Sequence, residues 1–174
     1  MRTTEQWWKE VSADPAKMVE WLKAQYHGEV TAEKRIRDLI PQYGICGKKA
    51  DLLNKIADDE GRHALWVKGL LDSRGIPAEA LQKEERYWGQ TLPTSPVTFE
   101  AICAVGYHAE VMRLDRIELL AADMRFADIA EVFTRILPDE QFHAKAFGSL
   151  STPEDIEAAR QGHADGLNAL GLVA

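Results

Sequence analysis

The sequence predicts an all-α protein built as a four-helix bundle with short extra helices at its ends. Three observations support this fold class. Apolar residues recur at intervals of three and four along four long segments, which is the spacing of one buried helix face. Within each half of the chain the two segments are joined by a short link, and a long connection joins the halves. One pattern of acidic and histidine residues also occurs in both halves.

The composition is that of a globular protein. The chain has 174 residues, 45% of them hydrophobic, and a formal net charge of −7. This length predicts one domain over residues 1–174, with its bundle core at about 15–150. The acidic balance argues against nucleic acid as a partner, and no apolar run is long enough to predict a membrane span. The first residues lack the apolar stretch of a signal peptide, so a cytoplasmic location is expected.

Helix signals place the first elements. A short amphipathic segment around Trp7–Trp8 opens the chain. Asp14 is a favourable N-cap and Pro15 a favourable first residue for the first long helix. This helix is expected to end near Ile40, because Pro41 cannot continue it.

The second long helix is expected at about residues 48–73, where Gly75 and then Pro77 end it. The connection that follows, about 76–97, includes a stretch with helical character at 78–88. A connection of this length allows the third long helix to run parallel to the second. The predicted order of directions is therefore up-down-down-up.

The third and fourth long helices are expected at about residues 97–123 and 126–150. Pro138 lies inside the fourth helix, where it removes a backbone hydrogen bond and predicts a kink or a π-bulge. Thr152 is a favourable N-cap for a short terminal helix at about residues 153–168.

The repeated pattern is a lone Glu followed about thirty residues later by Glu-x-x-His. Its copies are Glu29, Glu60 and His63, and, about 80 residues further on, Glu110, Glu140 and His143. Residues i and i+3 lie on one helix face, so such a Glu and His can hold one metal ion from the same side. All six residues fall on the apolar faces of the predicted helices. Because unpaired buried carboxylates are costly, four of them in one core require cations.

This arrangement resembles the ferritin-like di-iron carboxylate superfamily, in which two Glu-x-x-His helices and two Glu-bearing helices converge in a bundle core. The resemblance covers about residues 15–150 and implies a ferritin-like up-down-down-up bundle. It implies that the six residues bind two iron ions, with manganese or a mixed manganese and iron pair as alternatives. It also implies dioxygen or peroxide as a partner and a separate electron donor, and it leaves a homo-oligomer open.

Two aspartates directly precede the ligand glutamates. Metal-bound histidines usually donate their other N–H to a carboxylate, and Asp59 and Asp139 are the natural acceptors. The run from Asp59 to His63 resembles the Asp-Glu-x-Arg-His motif of bacterial multicomponent monooxygenases. The second copy departs from that motif, because Phe142 stands at the arginine position.

Other polar residues lie one turn from the ligands. Glu33 is interpreted as a further carboxylate near the metals, as a buried acid hydrogen-bonded to Tyr107, or as an exposed residue at the bundle edge. Tyr26 and Tyr107 either serve in electron or proton transfer or pack in the core. His27 and His108 lie two residues from ligands on the other helix face, and we interpret them as non-ligands.

The resemblance leaves three functional classes. The first is an oxygenase or oxidase of a small organic substrate, similar to aldehyde-deformylating oxygenases or to tRNA-modifying hydroxylase relatives. The second is a rubrerythrin-like peroxidase, and the third is a ferroxidase or storage protein resembling bacterioferritin. Bacterioferritins bind haem through a Met at the position of Gly61, and rubrerythrins place an extra Glu at the position of Arg113. Full-length rubrerythrins also carry a rubredoxin domain with two Cys-x-x-Cys pairs. These departures favour the oxygenase or oxidase.

An oxygenase requires a cavity that reaches the metal ions. Gly28, Gly61 and Ala64 are small residues close to the predicted ligands. They predict an apolar pocket beside the metals, lined by the first two long helices. On this interpretation, substituting Gly61 by Leu impairs substrate turnover more than metal binding.

Overall fold

The computed structural model describes residues 2–81, 86–91 and 97–172. These residues form α1 (Thr4–Ser12), α2 (Pro15–Gln42), α3 (Gly47–Asp72), α4 (Arg86–Thr91), α5 (Phe99–Ala122), α6 (Ala127–Ser149) and α7 (Pro153–Ala169). A 3₁₀ turn, Met124–Phe126, joins α5 to α6. The four long helices form the all-α, ferritin-like bundle that the sequence predicts. None of the helices described is long and apolar enough to cross a membrane.

Two apolar clusters fill the two ends of the bundle and show the helix directions. The first contains Leu22 near the start of α2 and Leu71 near the end of α3. This first cluster also includes residues from the end of α5 and the start of α6. The second cluster consists of residues from the opposite end of each of the four helices. The order is therefore up-down-down-up. On each helix, the residues of the repeated pattern lie between the two clusters.

The bundle consists of two hairpins. α2 packs along α3, and α5 packs along α6, whereas the contacts between the hairpins run chiefly through α3 and α6. α1 packs on α2, and α7 covers α4 and α5. α2 and α5 have few close backbone contacts with each other, which is important for the cavity described below.

α2 extends beyond its predicted end. It runs to Gln42 and includes Pro41 in its last turn. Proline removes only its own N–H, and the amide of Tyr43 still donates to the Leu39 carbonyl at 3.0 Å. The helix is ended instead by Gly44, whose φ of 61° lies in the left-handed region that favours glycine.

Of the two effects predicted for Pro138, a kink or a π-bulge, the π-bulge is absent, because α6 is α-helical from Ala127 to Ser149. Pro138 and Thr134, the residue one turn earlier whose carbonyl loses its partner, are both exposed. Water can therefore satisfy that carbonyl.

The long connection is only partly helical as predicted. Residues 78–81 are not helical, α4 begins at Arg86, and 82–85 lie outside the described residues. The amide of Leu81 donates to Nδ1 of His27 at 3.1 Å, which holds this part of the connection against α2.

Candidate metal centre

All six residues of the repeated pattern meet in the middle of the bundle. α2 and α5 each contribute a lone Glu, and α3 and α6 each contribute a Glu and a His one turn apart. The six side chains are buried, with Glu110 the most exposed at 5%. The structure thus brings together every residue that the sequence predicts as a ligand.

The six side chains form two overlapping groups, and within each group one atom from every residue lies within 4.8 Å of the others. The groups are Glu29, Glu60, His63 and Glu140, and Glu60, Glu110, Glu140 and His143. Glu60 and Glu140 belong to both groups, so they are placed to bridge two ions. Each group offers three carboxylates and one imidazole, a donor set that suits iron or manganese.

Unsatisfied polar atoms mark the centre. Among the described residues, seven buried side-chain nitrogen and oxygen atoms have no hydrogen-bond partner. They are both oxygens of Glu60 and Glu140, one oxygen of Glu110, and Nδ1 of His63 and His143. Buried polar atoms are nearly always satisfied in folded proteins. These seven unpartnered atoms all lie in one cluster, which is what a pair of bound metal ions would explain.

The two histidines are held crosswise. Nε2 of His63 lies 3.2 Å from Asp139, and Nε2 of His143 lies 3.2 Å from Asp59. Each imidazole is therefore oriented by the aspartate of the other hairpin, and Nδ1 is left facing the carboxylates. Both aspartates predicted as acceptors thus lie beside a histidine, and each contacts the histidine of the other hairpin, which the sequence does not reveal.

Two cations support this pairing. Arg62 donates to Asp59 at 2.7 Å and to Asp139 at 2.9 Å, so it links the two hairpins. Although burial acts to raise the pKa of Asp59, hydrogen bonds from Lys55, His143 and Arg62 lower it. Asp59 therefore stays ionised and accepts the N–H of His143.

Arg113 lies within the cluster, a position that the sequence patterns did not predict. Its guanidinium donates to both oxygens of Glu29 at 2.8 Å and lies 2.9 Å from Glu140. It is also 3.5 Å from Glu60 and 3.8 Å from Glu110. The available signal was its spacing, because Arg113 follows Glu110 by three residues and so lies on the same helix face.

The charges of the cluster are strongly coupled. Burial raises the pKa of Glu29 to about 8, and burial with the charge of Glu140 raises that of Glu110 well above its ordinary value. Burial also acts on Glu140, but the charge of Arg113 and the adjacent imidazoles of His63 and His143 hold its pKa well below the usual range. Although burial opposes the charged form, the Glu140 carboxylate, 3.4 Å from Nδ1, raises the pKa of His143 to about 11. The cluster thus retains protons that metal ions would displace.

Comparison with known families agrees with this geometry. A family model described as Rubrerythrin matches residues 20–151, which include all six residues of the pattern. The chain belongs to the rubrerythrin family. Neither the curated proteins nor the solved structures gave a match. Membership in this ferritin-like di-iron family and the buried Glu and His cluster together fit a di-iron protein.

Glu33 is not part of the centre in this rubrerythrin-family chain. It accepts from Arg37 at 2.9 and 3.1 Å, and Arg37 also donates to Asp58 at 2.7 Å. Among the hydrogen bonds of the described residues, none joins Glu33 to Tyr107. The third interpretation, a carboxylate at the bundle edge, is therefore the one that the structure supports.

Gly61 makes room for Glu33 and not for a ligand channel. A Cβ at this position would lie 2.9 Å from Oε2 of Glu33. Because that oxygen ends a flexible side chain, we expect Gly61→Ala to cost less than about 1 kcal/mol, aided by the better helix propensity of alanine. Metal content and catalytic rate should stay as in the wild type. Denaturant unfolding and metal analysis test this, and a selective loss of rate would restore the channel interpretation.

The remaining candidates lie outside both ligand groups. Tyr26 packs against the first apolar cluster and Tyr107 against the second, where its ring faces Gly148. His108 lies 2.8 Å from the Ile156 carbonyl through Nε2, so neither it nor His27 belongs to the centre. A redox role for the tyrosines stays a prediction.

A cavity of about 480 Å³ reaches the cluster, but not where the sequence analysis expects it. It lies between α2 and α5, the first and third long helices, and not between the first and second. Glu110 and Arg113 line it, together with apolar residues that include Ile36, Leu39 and Val105. The cavity exists because the two lone-Glu helices stay apart while each packs against its own hairpin partner.

Proposed function

We propose that this chain is a dinuclear non-haem iron protein that activates dioxygen and acts as an oxygenase or oxidase of a small organic substrate. The observation that carries the proposal is the cavity between α2 and α5, one wall of which is Glu110. Its volume lies within the range of small-molecule sites. An enzyme that only reduces hydrogen peroxide has no need of such a space.

The residues of the centre would share the work as follows. Glu60 and Glu140 would bridge the ions, since each belongs to both groups. Bound iron supplies the electrons that reduce dioxygen or peroxide. Asp59 and Asp139 hold the imidazoles with Nδ1 directed inward, so the histidine side chains do not need to move when other ligands exchange.

The protein surrounds the centre with apolar packing on both sides along the bundle axis. Phe147 and Ile56 lie on one side, and Phe133 and Leu22 on the other. This packing keeps bulk water away, which strengthens electrostatic interactions in the centre and limits side reactions. The cavity is therefore the natural route for a substrate, because Glu110 of the cluster is one of its lining residues.

A rubrerythrin-like peroxidase is the second candidate, and the family match favours it. Dioxygen uptake by the iron-loaded protein with medium-chain aldehydes, acids and alcohols, compared with peroxide reduction under the same electron donor, separates the two. The oxygenase or oxidase predicts uptake that depends on the organic compound. Fast peroxide reduction with no organic product would establish the peroxidase instead.

Filling the cavity provides a sharper test. Ala109 is buried and lines the cavity, whereas Val111, two residues away, is 40% exposed and does not. Ala109→Phe is expected to lower oxidation of the organic compound at least about tenfold, while the iron content stays unchanged. Val111→Phe adds the same ring outside the cavity and should keep the wild-type rate. Equal rates in both variants would remove the cavity from the reaction.

A further inference from the structure

We propose that the cavity between α2 and α5 binds an apolar monocarboxylate, and that Arg113 is the residue that pairs with its carboxylate. This inference rests on the proposed function and names the substrate class of the same site. It is carried by three observations: the partners of Arg113, the charge of the cluster, and the lining of the cavity.

Arg113 has only metal-ligand candidates as partners. Among the described residues, its ion pairs are with the two lone glutamates and the two bridging glutamates of the centre. When those carboxylates coordinate two ions, their lone pairs are directed to the metals and their charge is neutralised. Arg113 then has no partner that carries an uncompensated negative charge.

The charge of the loaded centre makes this loss costly. Four carboxylates balance two divalent ions, and the histidines coordinate as neutral imidazoles. The guanidinium remains as one uncompensated positive charge beside two cations. Its side chain is 19% exposed, so water screens it poorly. A buried charge without a partner destabilises a protein strongly, so the loaded site favours an anion next to Arg113.

The cavity is the place where such an anion can lie. Arg113 is one of its walls at the inner end, beside Glu110. The guanidinium presents several N–H donors in a plane and binds carboxylates through two hydrogen bonds. A single carboxylate therefore satisfies both the charge and the geometry of Arg113.

The other lining residues determine which ligand can fill the remainder of the cavity. Ile36, Leu39, Val105 and Phe147 are buried and apolar. The other arginine of the lining, Arg35, lies over the ring of Trp88 at 4.2 Å, so the cavity walls contain a second cation. Among the described lining residues the acidic side chains are Glu110 and Asp38, and Asp38 pairs with Lys34. The two arginines therefore disfavour a cationic ligand, and the apolar walls disfavour a strongly hydrated dianion. An apolar chain or ring with one carboxylate fits both.

The test uses full-length protein loaded with Mn(II), which allows binding to be measured without turnover. Metal content is determined first, because failure to bind two ions would contradict the proposed function before any ligand is added. Octanoate and its neutral isostere octanamide are then titrated by calorimetry. We expect octanoate to bind at least about tenfold more tightly, the advantage of a charge-assisted pair.

Arg113→Leu is expected to remove the preference for octanoate over octanamide. Arg116→Leu makes the same substitution one turn away, outside the cavity, and should keep the preference. Ala109→Phe should weaken both ligands equally. If Arg113→Leu does not fold, Arg113→Gln, which keeps a polar side chain without the charge, takes its place in the same comparison. Two bound ions with no preference for octanoate, or a preference that survives in Arg113→Leu because the carboxylate binds the ions, would overturn this inference and leave the proposed function intact.

Discussion

Replacing Glu140 by Ala is expected to abolish the binding of both metal ions, whereas replacing Glu110 by Ala should leave one ion bound. Glu140 belongs to both ligand groups, so its loss removes a donor from each site. Glu110 belongs to one group only. Glu60→Ala should behave like Glu140→Ala, and the two histidine variants, His63→Ala and His143→Ala, should each retain about one ion.

Metal analysis after loading with excess Fe(II) under anaerobic conditions measures this directly, with circular dichroism to confirm helical folding. Glu33→Ala is the matched control, because Glu33 is a carboxylate on α2 outside both groups, and it should keep two ions. Full loading in Glu140→Ala would show that the bridging arrangement is wrong. Loss of both ions in every variant would mean that the sites do not bind independently.

Protein stripped of metal is expected to lose stability as the pH rises from about 5 to 9. The pKa of Glu29 rises from 4.5 to about 8 on folding, because of burial. A raised pKa contributes stability that is fully present below the unfolded value and is lost as the pH rises through the folded value. His143 acts in the same direction, since its pKa rises from 6.5 to about 11. Glu60 and Glu140 have lowered pKa values, so their contribution is lost only at more acidic pH.

Thermal melts of stripped and loaded protein across this pH range test the expectation. Loaded protein should melt about 10 °C higher than stripped protein at pH 8, given the stabilisation that a tightly bound ligand supplies. The gap should narrow toward pH 5, where protons replace metal ions on the cluster. Parallel melting curves with no gap at any pH would contradict a buried metal centre.

Local patterns account for what the sequence predicted well. The spacing of Glu60 and His63, and of Glu140 and His143, placed each pair on one helix face, and the apolar stripes showed that the face is buried. The ends of the four long helices were predicted within about two residues, because capping residues such as Asp14 and Gly75 act locally. Pro41 was an exception, since a proline in the last turn removes no essential hydrogen bond.

Features that depend on the relative position of helices were not predictable in this way. Periodicity shows which face is buried but not which helix it meets. The crossed pairing of Asp59 with His143, the contact of Gly61 with Glu33, and the cavity between α2 and α5 all depend on that choice. Arg113 was visible in the sequence only as a departure from the rubrerythrin pattern, although its position on the ligand face indicated a role in the cluster.

Because both copies of the hairpin lie in one chain, the two copies can differ in sequence. Two identical copies in a homodimer could not. Neither hairpin alone holds a complete ligand set, since each group needs a bridging Glu from the other. A symmetric dimer of one hairpin would supply the same six ligands, but it would present every other residue twice. Joining the copies in one chain permits symmetry breaking: Arg113 is matched in the first copy by Ala32, and both line the same cavity. One cation and one small residue then line a single opening, which a homodimer would have to line with two arginines or with none.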